Sequence, residues 1–331
     1  MKVALTNKKQ IQIKSGVLQQ LLAFASLIVL VLVFTLSSDN FFRFDNLMGI
    51  LLSTAVIGVL ALGSTFVIVT GGIDLAVGTV MTFSSVMTGV IITFWNLPIP
   101  FGIAGGIATG AACGLISGLA VAKMKIPPFI ATLAMMMITK GLSLVISGTK
   151  PIYFDEPHAA DFSKISLGSV TKWLIGVEIP NAVLIFFGLA IVAGLLLTKT
   201  IVGRYNFALG SNEEATRLSG VNVNLWKIVI YTITGAFAGI AGILMASRLN
   251  SAQPALGTGY ELEAIAAVVI GGTSLSGGQG TILGTVIGAL IMSVLTNGLR
   301  ILSVPQEWQT VIIGLVVIGA VYADILRRRK A

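Results

Sequence analysis

The sequence predicts an all-α membrane protein that crosses the bilayer about ten times. Of its 331 residues, 55% are hydrophobic and 10% are charged. Soluble domains carry about 25% charged residues, so this composition excludes an ordinary soluble fold. The mean hydropathy of +0.97 agrees with this conclusion. Apolar runs of roughly 20 residues, the length that crosses the hydrocarbon core, recur along the chain.

The apolar runs, bounded by polar, proline and glycine signals, define the predicted spans. They cover residues 16–36, 49–70, 79–95, 100–122, 128–147, 180–198, 226–247, 263–272, 281–299 and 308–324. The first run follows a basic N-terminus but is longer than a signal-peptide core of about 7 to 15 residues, and no small-residue cleavage site follows it. We therefore interpret it as an uncleaved span. Whether 263–272 crosses fully or re-enters stays open at this stage.

Lysine and arginine are distributed unequally between the two sides that these spans define. With a cytoplasmic N-terminus, fourteen fall inside: Lys2, Lys8, Lys9, Lys14, Lys123, Lys125, Lys199, Arg204, Arg217, Lys227, Arg327, Arg328, Arg329 and Lys330. Six fall outside: Arg43, Lys150, Lys164, Lys172, Arg248 and Arg300. The positive-inside rule therefore predicts that both termini are cytoplasmic.

This topology divides the chain into three regions. Residues 1–15 form a basic cytoplasmic N-terminus, residues 16–326 a single transmembrane domain, and residues 327–331 a basic cytoplasmic C-terminus. The longest loops are 200–225 on the cytoplasmic side and 148–179 on the outer side. The net charge of +8 reflects this topology and does not indicate a nucleic-acid partner, because no basic cluster is interleaved with aromatic residues.

A stripe of glycines marks the fourth span. The glycines recur every four residues, at Gly102, Gly106, Gly110, Gly114 and Gly118. At 3.6 residues per turn they share one helix face, which allows another helix backbone to approach closely. The stripe therefore predicts a tight helix-packing interface in preference to a pore lining.

Two glycine-interrupted segments share a sequence frame. In one, Gly71 and Gly72 end an apolar run and are flanked by Thr70 and Asp74. In the other, Gly271 and Gly272 are followed by Thr273 and Ser274. Matching interruptions in two halves of a membrane protein indicate a translocation pathway, because unwound backbone is tolerated only in protein or beside a cavity. Asp74 has two interpretations: a cap for the following helix or a charged group of the pathway.

No catalytic or metal site is predicted. Residues 275–279 spell LSGGQ, the signature string of ABC-type ATPases, but the phosphate-binding pattern G-x-x-x-x-G-K-[ST] is absent, so we regard the match as accidental. The sequence also has no G-x-S-x-G or H-E-x-x-H motif. Its one cysteine, Cys113, and one histidine, His158, exclude a Cys/His metal cluster.

The polar segment 204–224 stands out in this apolar chain. Gly210 and Ser211 are predicted to break the preceding structure, Asn212 to cap a short helix with Glu213 and Glu214 in its first turn, and Gly220 to end it. A short capped helix in the longest cytoplasmic loop is suited to dock on another protein. The alternative is a solvated loop without a partner.

Three stretches resemble a known family. They are GSNEEATRLSGVNVN, VIVTGGIDLAVGT and SRLNSAQPALGTGYELEAIAAVVIGGTSLSGGQGTILGT. They are similar to the membrane permease subunits of bacterial ABC sugar importers, above all the ribose branch, with galactose, arabinose, xylose and autoinducer-2 permeases as relatives. The similarity runs from about residue 41 to residue 324.

The resemblance implies an inner-membrane subunit that pairs with a second copy of itself. ATP-binding subunits would dock beneath the pair with ATP and magnesium, and a periplasmic binding protein would deliver the sugar, so this chain would bind no cofactor. The family's coupling segment falls on Gly210, Asn212, Glu213, Glu214, Ala215, Arg217, Leu218 and Gly220. The alternative function is an ion-coupled carrier or a channel without an ATPase, in which Asp74 would be essential.

Overall fold

The computed structural model describes residues 15–155 and 158–328. The predicted basic termini, 1–15 and 327–331, therefore lie almost wholly outside the described residues. Within the described ranges the regular secondary structure is helical apart from a single short ribbon, so the predicted all-α class is confirmed.

The helices follow one another in this order: α1 Ser15–Ser37, α2 Phe44–Val69, α3 Val77–Gly89, α4 Ile99–Ala122, α5 Pro128–Ser147, α6 His158–Ser163, α7 Val170–Ile175, α8 Asn181–Lys199, α9 Ile201–Ser211, α10 Glu213–Leu218, α11 Val223–Leu249, α12 Tyr260–Ile270, α13 Ile282–Ile301 and α14 Gln306–Arg328. A π-helical turn, Val90–Phe94, extends α3. The strands β1 Ile152–Tyr153 and β2 Ser251–Ala252 form an antiparallel ribbon in which Ile152 lies opposite Ala252.

Proline sets the start of several helices. Pro98, Pro127 and Pro180 are the N-cap residues of α4, α5 and α8. Proline has a fixed φ and no N–H, so it fits at a helix start, where the first amides have no partner within the helix. Long apolar runs then continue each helix. These local rules account for the agreement between most predicted and observed boundaries.

Nine helices in the described ranges are long and apolar enough to cross a membrane, in agreement with the predicted polytopic fold of about ten spans. The exception is the predicted span 263–272. It belongs to α12, which has 11 residues and at 1.5 Å per residue is about 16 Å long, half of the roughly 30 Å hydrocarbon core. The segment 253–259 before α12 is irregular.

The two ends of the bundle differ in structure. We call the end that carries α10 the α10 face and the end that carries the β1–β2 ribbon the β face. Helices α2, α3, α11 and α13 are the most buried, whereas α1, α4, α5, α8 and α14 are largely exposed on the perimeter. The exposed perimeter is apolar, as expected for surface in contact with lipid.

The glycine stripe of α4 lies at close backbone contacts. A Cβ atom built on Gly110 would lie 2.3 Å from the carbonyl oxygen of Gly235, and one on Gly114 would lie 2.2 Å from that of Tyr231, both on α11. Gly118 also faces α11, while Gly102 and Gly106 face the end of α3 and its π-helical turn. The stripe thus holds α4 directly against the buried helices.

Candidate translocation and coupling site

The crossings that contain α2 and α12 end in the same backbone geometry. The Gly72 N–H donates to the Val67 carbonyl at 3.2 Å, and the Thr273 N–H donates to the Val268 carbonyl at 3.1 Å. In each case the residue before the donor is a glycine with positive φ, +79° at Gly71 and +92° at Gly272. This is the Schellman arrangement, in which a left-handed residue ends the helix and reuses its last carbonyls.

The glycine of α12 that matches Gly71 in conformation lies one residue later than the glycine that the sequence comparison pairs with it. The sequence comparison aligns Gly71 with Gly271, but the left-handed position of α12 is Gly272, so Gly71 corresponds to Gly272. The C-cap Gly271 has φ −64°, which any residue can adopt. Two adjacent glycines do not reveal which of them carries the left-handed conformation, and this is why the predicted register is wrong.

The two interruptions are in direct contact. The Gly278 N–H donates to the Val69 carbonyl at 2.9 Å, and a Cβ on Gly277 would lie 2.7 Å from the Gly71 nitrogen. The loop between α12 and α13 therefore packs beneath the end of α2. Sequence reasoning paired these segments by similarity, and the structure places them together.

The LSGGQ string forms this loop. The Ser274 N–H donates to the Gln279 carbonyl at 3.1 Å, and the Gly277 N–H donates to the Ser274 carbonyl at 3.0 Å. The turn presents the backbone of Gly277 and Gly278 to Val69 and to the end of α9. Its glycines are thus explained by close backbone packing.

The end of α9 completes the junction. A Cβ on Gly210 would lie 1.8 Å from the Val69 carbonyl oxygen and 2.5 Å from the Gly278 nitrogen, so only glycine fits there without displacement. Gly210 and Ser211 were predicted to break the structure, but they are the last two residues of α9. We call the contact of Val69, Gly210 and Gly278 the triple junction.

Asp74 lies in the segment between α2 and α3. The residue is 6% exposed, and its carboxylate accepts a hydrogen bond from the Ala76 N–H at 2.8 Å. Helix α3 begins at Val77, and its N-cap, Ala76, makes no side-chain cap hydrogen bond. Asp74 therefore stabilises the turn before α3 and does not cap the first turn of the helix.

Thr70, beside Gly71, and Thr273, beside Gly272, differ in the hydrogen bonds that their hydroxyl groups form. The Thr70 hydroxyl donates to the Val67 carbonyl at 2.6 Å and reinforces the end of α2. The Thr273 hydroxyl is buried without a hydrogen-bond partner in the described part of the chain, and Ser274 is also buried beside it.

A second repeated sequence pattern, which sequence reasoning missed, occurs at the starts of α3 and α12. Residues 72–75 read GIDL and residues 259–262 read GYEL, a shared pattern of glycine, any residue, an acid and leucine. Glu261 is 6% exposed, and its carboxylate accepts the Gly259 N–H at 3.1 Å. A Cβ on Gly78 in α3 would lie 2.6 Å from the Glu261 carboxylate, so the two helix starts are in contact.

Helix α10 begins immediately after the triple junction. The Asn212 side chain accepts the Ala215 N–H at 2.9 Å, which caps the helix, and Gly220 with φ +85° follows its end. Glu213 accepts a hydrogen bond from Lys227 of α11 at 2.7 Å and one from Arg217 at 3.1 Å. These contacts fix α10 on the bundle.

The opposite side of α10 is open to solvent. Leu218 is 81% exposed, and the Glu214 side chain is 69% exposed. Arg217 and Ala215 are exposed beside them, whereas Thr216 is buried against the bundle. An exposed leucine flanked by charges on a fixed helix is a feature of a protein-docking surface.

These features define a class of protein: a polytopic helical transport protein whose interrupted crossings contact a solvent-facing helix. A family model described as the permease component of branched-chain amino acid transport systems matches residues 46–321. The chain belongs to this permease family.

Several relatives match nearly the full chain. The ribose import permease of Escherichia coli is 42% identical over 312 residues, covering 94% of this chain and 95% of the relative. The ribose import permease of Bacillus subtilis is 40% identical over 326 residues, covering 98% of each. The L-arabinose permease of Azospirillum brasilense is 35% identical, covering 92% of this chain and 86% of the relative. The chain is accordingly a multi-pass inner-membrane transport subunit.

Proposed function

We propose that this chain is the membrane-spanning permease subunit of an ATP-driven ribose importer. The observation that carries the proposal is its similarity along almost the entire length to ribose import permeases, at 42% identity to that of Escherichia coli. The chain matches the L-arabinose permease at the lower identity of 35%, which favours ribose within the sugar class.

In this proposal the α10 face is cytoplasmic and the β face is periplasmic. The helix ends at the α10 face carry predicted cytoplasmic cations: Lys123 and Lys125 follow α4, Lys199 ends α8, and Lys227 lies near the start of α11. The positive-inside rule supports this orientation. The periplasmic face would then carry the ribbon together with α6 and α7.

The solvent-facing side of α10 would dock the cytoplasmic ATP-binding subunit. Leu218 supplies an apolar anchor, and Glu214 and Arg217 supply charges of both signs around it. ATP and magnesium would bind to that subunit, while a second copy of this permease completes the membrane assembly. A periplasmic binding protein would deliver sugar to the β face, and lipid would surround the apolar perimeter.

The triple junction gives a direct route from docking to transport. Closure of the ATP-binding subunits would displace α10, and the displacement would reach the end of α2 and the loop after α12 through Gly210. Both crossings contain interrupted backbone, so they can change relative position more easily than continuous helices. Alternating access would follow from this motion.

The test is to purify the complex from its native membrane with Glu214→Arg in α10. We expect the variant permease to remain in the membrane, to lose the ATP-binding subunit on purification and to lose ATP-dependent ribose uptake. Glu307→Arg is the matched control, because Glu307 is an exposed carboxylate at the start of α14 near the β face. The control should retain the ATP-binding subunit.

Two results would contradict the proposal. One is full ATP-dependent uptake by Glu214→Arg. The other is ribose uptake by the purified permease alone, driven by a proton or sodium gradient without ATP, which would instead support the secondary-carrier alternative and direct attention to Asp74.

A further inference from the structure

A cavity of about 240 Å³ with both polar and apolar walls lies within the bundle near its β face. It is formed by the first turn of α12, the last turns of α11 and α13, and part of α2. The side chains that matter here are Arg248, Tyr260, Glu263, Ser293, Asn297 and Arg300. None of these residues was predicted as a site, and none belongs to the triple junction or to α10.

Several of these groups have unused hydrogen-bonding capacity. The Glu263 and Arg300 side chains form no hydrogen bond with the described residues but attract each other electrostatically, and Arg300 is exposed. The buried Ser293 hydroxyl has no hydrogen-bond partner among the described residues. Arg248 makes one bond, to the Ser53 hydroxyl at 3.2 Å. Charged and polar side chains that converge on one concave space are typical of a ligand-binding pocket.

The cavity wall is also held in place. Asn297 and Asn46 exchange reciprocal amide hydrogen bonds, at 3.1 Å and 2.9 Å, which fix Asn297 between α13 and α2. Tyr260, Glu263 and Arg300 also line a neighbouring cavity of about 620 Å³ that extends along α14. These three side chains therefore face two adjoining spaces in the same half of the bundle.

The mixture of groups favours a neutral polyhydroxyl ligand. Glu263 accepts hydrogen bonds, the two guanidinium groups donate them, and Ser293 does both. A sugar hydroxyl can donate and accept, whereas the carboxylate opposes an inorganic anion and the arginines oppose a cation. The ring of Tyr260 can cover the C–H face of a sugar ring.

We propose that this cavity is a sugar subsite on the import path, where a pentose is held by Glu263, Arg248 and Arg300 after entry from the β face. The proposal rests on the proposed function, which brings ribose to this side of the bundle. It adds the residues that contact the solute before the interrupted crossings move.

The test uses site-specific cysteine labelling of the complete transporter in right-side-out membrane vesicles. Cys113, the chain's one cysteine, is buried and is first replaced by alanine. Thr296→Cys then places a thiol in the wall, because Thr296 lines both cavities and its hydroxyl bonds only the Met292 carbonyl of its own helix. Tyr153→Cys on the exposed ribbon is the matched control.

We expect a membrane-impermeant thiol reagent to label both positions and millimolar ribose to slow labelling at 296 at least threefold, with no effect at 153. Adding Glu263→Gln, or Arg300→Lys where the first variant is poorly produced, should abolish this protection. Absence of labelling at 296, no protection by ribose, or equal protection by inorganic phosphate would each overturn the subsite.

The same vesicles separate this proposal from the proposed function. ATP-dependent ribose uptake by the wild type measures the function, whereas protection at 296 measures binding in the cavity. Uptake without protection would remove the subsite and leave the importer, and protection without ATP-dependent uptake would remove the ATP-driven importer and leave the subsite.

Discussion

The N–H of Gly278 donates to the carbonyl of Val69 at 2.9 Å, which joins the loop after one interrupted crossing to the end of the other. The same carbonyl lies against Gly210 at the end of α9. Three segments that are distant in sequence thus share one carbonyl oxygen. Because α10 begins two residues after α9 ends, the proposed displacement of α10 would reach both segments at this point.

The first prediction concerns Gly210→Ala. The added Cβ would lie 1.8 Å from the Val69 carbonyl oxygen, so α9 must move away from α2. Overpacking of this kind costs about 1–3 kcal/mol. We expect a lower thermal-unfolding midpoint in detergent and at least tenfold slower ATP-dependent uptake.

Gly141→Ala is the control for this substitution. Gly141 lies within α5, and a Cβ there would meet no atom within 4 Å. Since alanine is the better helix former, this variant should be as stable as the wild type or more so. Equal uptake by Gly210→Ala and Gly141→Ala would show that the triple junction transmits no motion.

The second prediction separates backbone conformation from packing at Gly71. A Cβ at this position would have its nearest neighbour at 3.4 Å, so there is room for one, but φ is +79°. The left-handed conformation costs an ordinary L-residue roughly 1–2 kcal/mol, and asparagine tolerates it best. Gly71→Asn should therefore unfold at a clearly higher temperature than Gly71→Val. Equal midpoints for the two variants would contradict the left-handed end of α2.

The third prediction distinguishes the two glutamates of α10. Glu213 is paired with Lys227 at 2.7 Å, whereas Glu214 faces solvent. Lys227→Glu should loosen α10 and reduce uptake, and adding Glu213→Lys should restore it, although partly exposed pairs contribute only about 0.2–1 kcal/mol. Glu214→Arg should not be rescued by Lys227→Glu. Failure of the exchanged pair to recover any uptake would mean that Glu213 acts through the partner subunit.

Much of the fold was predictable because local rules determine it. Apolar runs fixed most spans to within a few residues, and Asn212 was recognised as the cap of α10 from its position before two acids. The shortness of α12 was recognised in the run 263–272, but whether this run crosses the membrane or re-enters was left open, because a short apolar run does not reveal whether the chain before it is helical. The residues 253–259 are rich in small and turn-forming types, and in the structure they form turns that lead into α12.

The site was less predictable than the fold because it depends on contacts between distant segments. The glycines of 275–279 resembled a nucleotide signature, and only their contacts with Val69 and Gly210 explain them. Glu263 and Arg300 are 37 positions apart in sequence, and no motif connects them to the cavity they both line. The shared pattern GIDL and GYEL was present in the sequence at 72–75 and 259–262, but sequence reasoning did not use it to pair the starts of α3 and α12.

The last prediction concerns the glycine stripe. Gly114→Val places a branched side chain where a single Cβ would already lie 2.2 Å from the Tyr231 carbonyl oxygen, so α4 must separate from α11. Ala112→Val places the same side chain at an exposed position of α4. We expect Gly114→Val to reduce the amount of folded permease recovered from the membrane severalfold and Ala112→Val to leave it unchanged, as measured by size-exclusion chromatography in detergent.

Because small-residue contacts replace the hydrophobic effect as a source of helix association in lipid, the loss should exceed that of Gly141→Ala in the same assay. Normal recovery of Gly114→Val would mean that α4 and α11 tolerate separation and that the stripe does not hold the buried helices together.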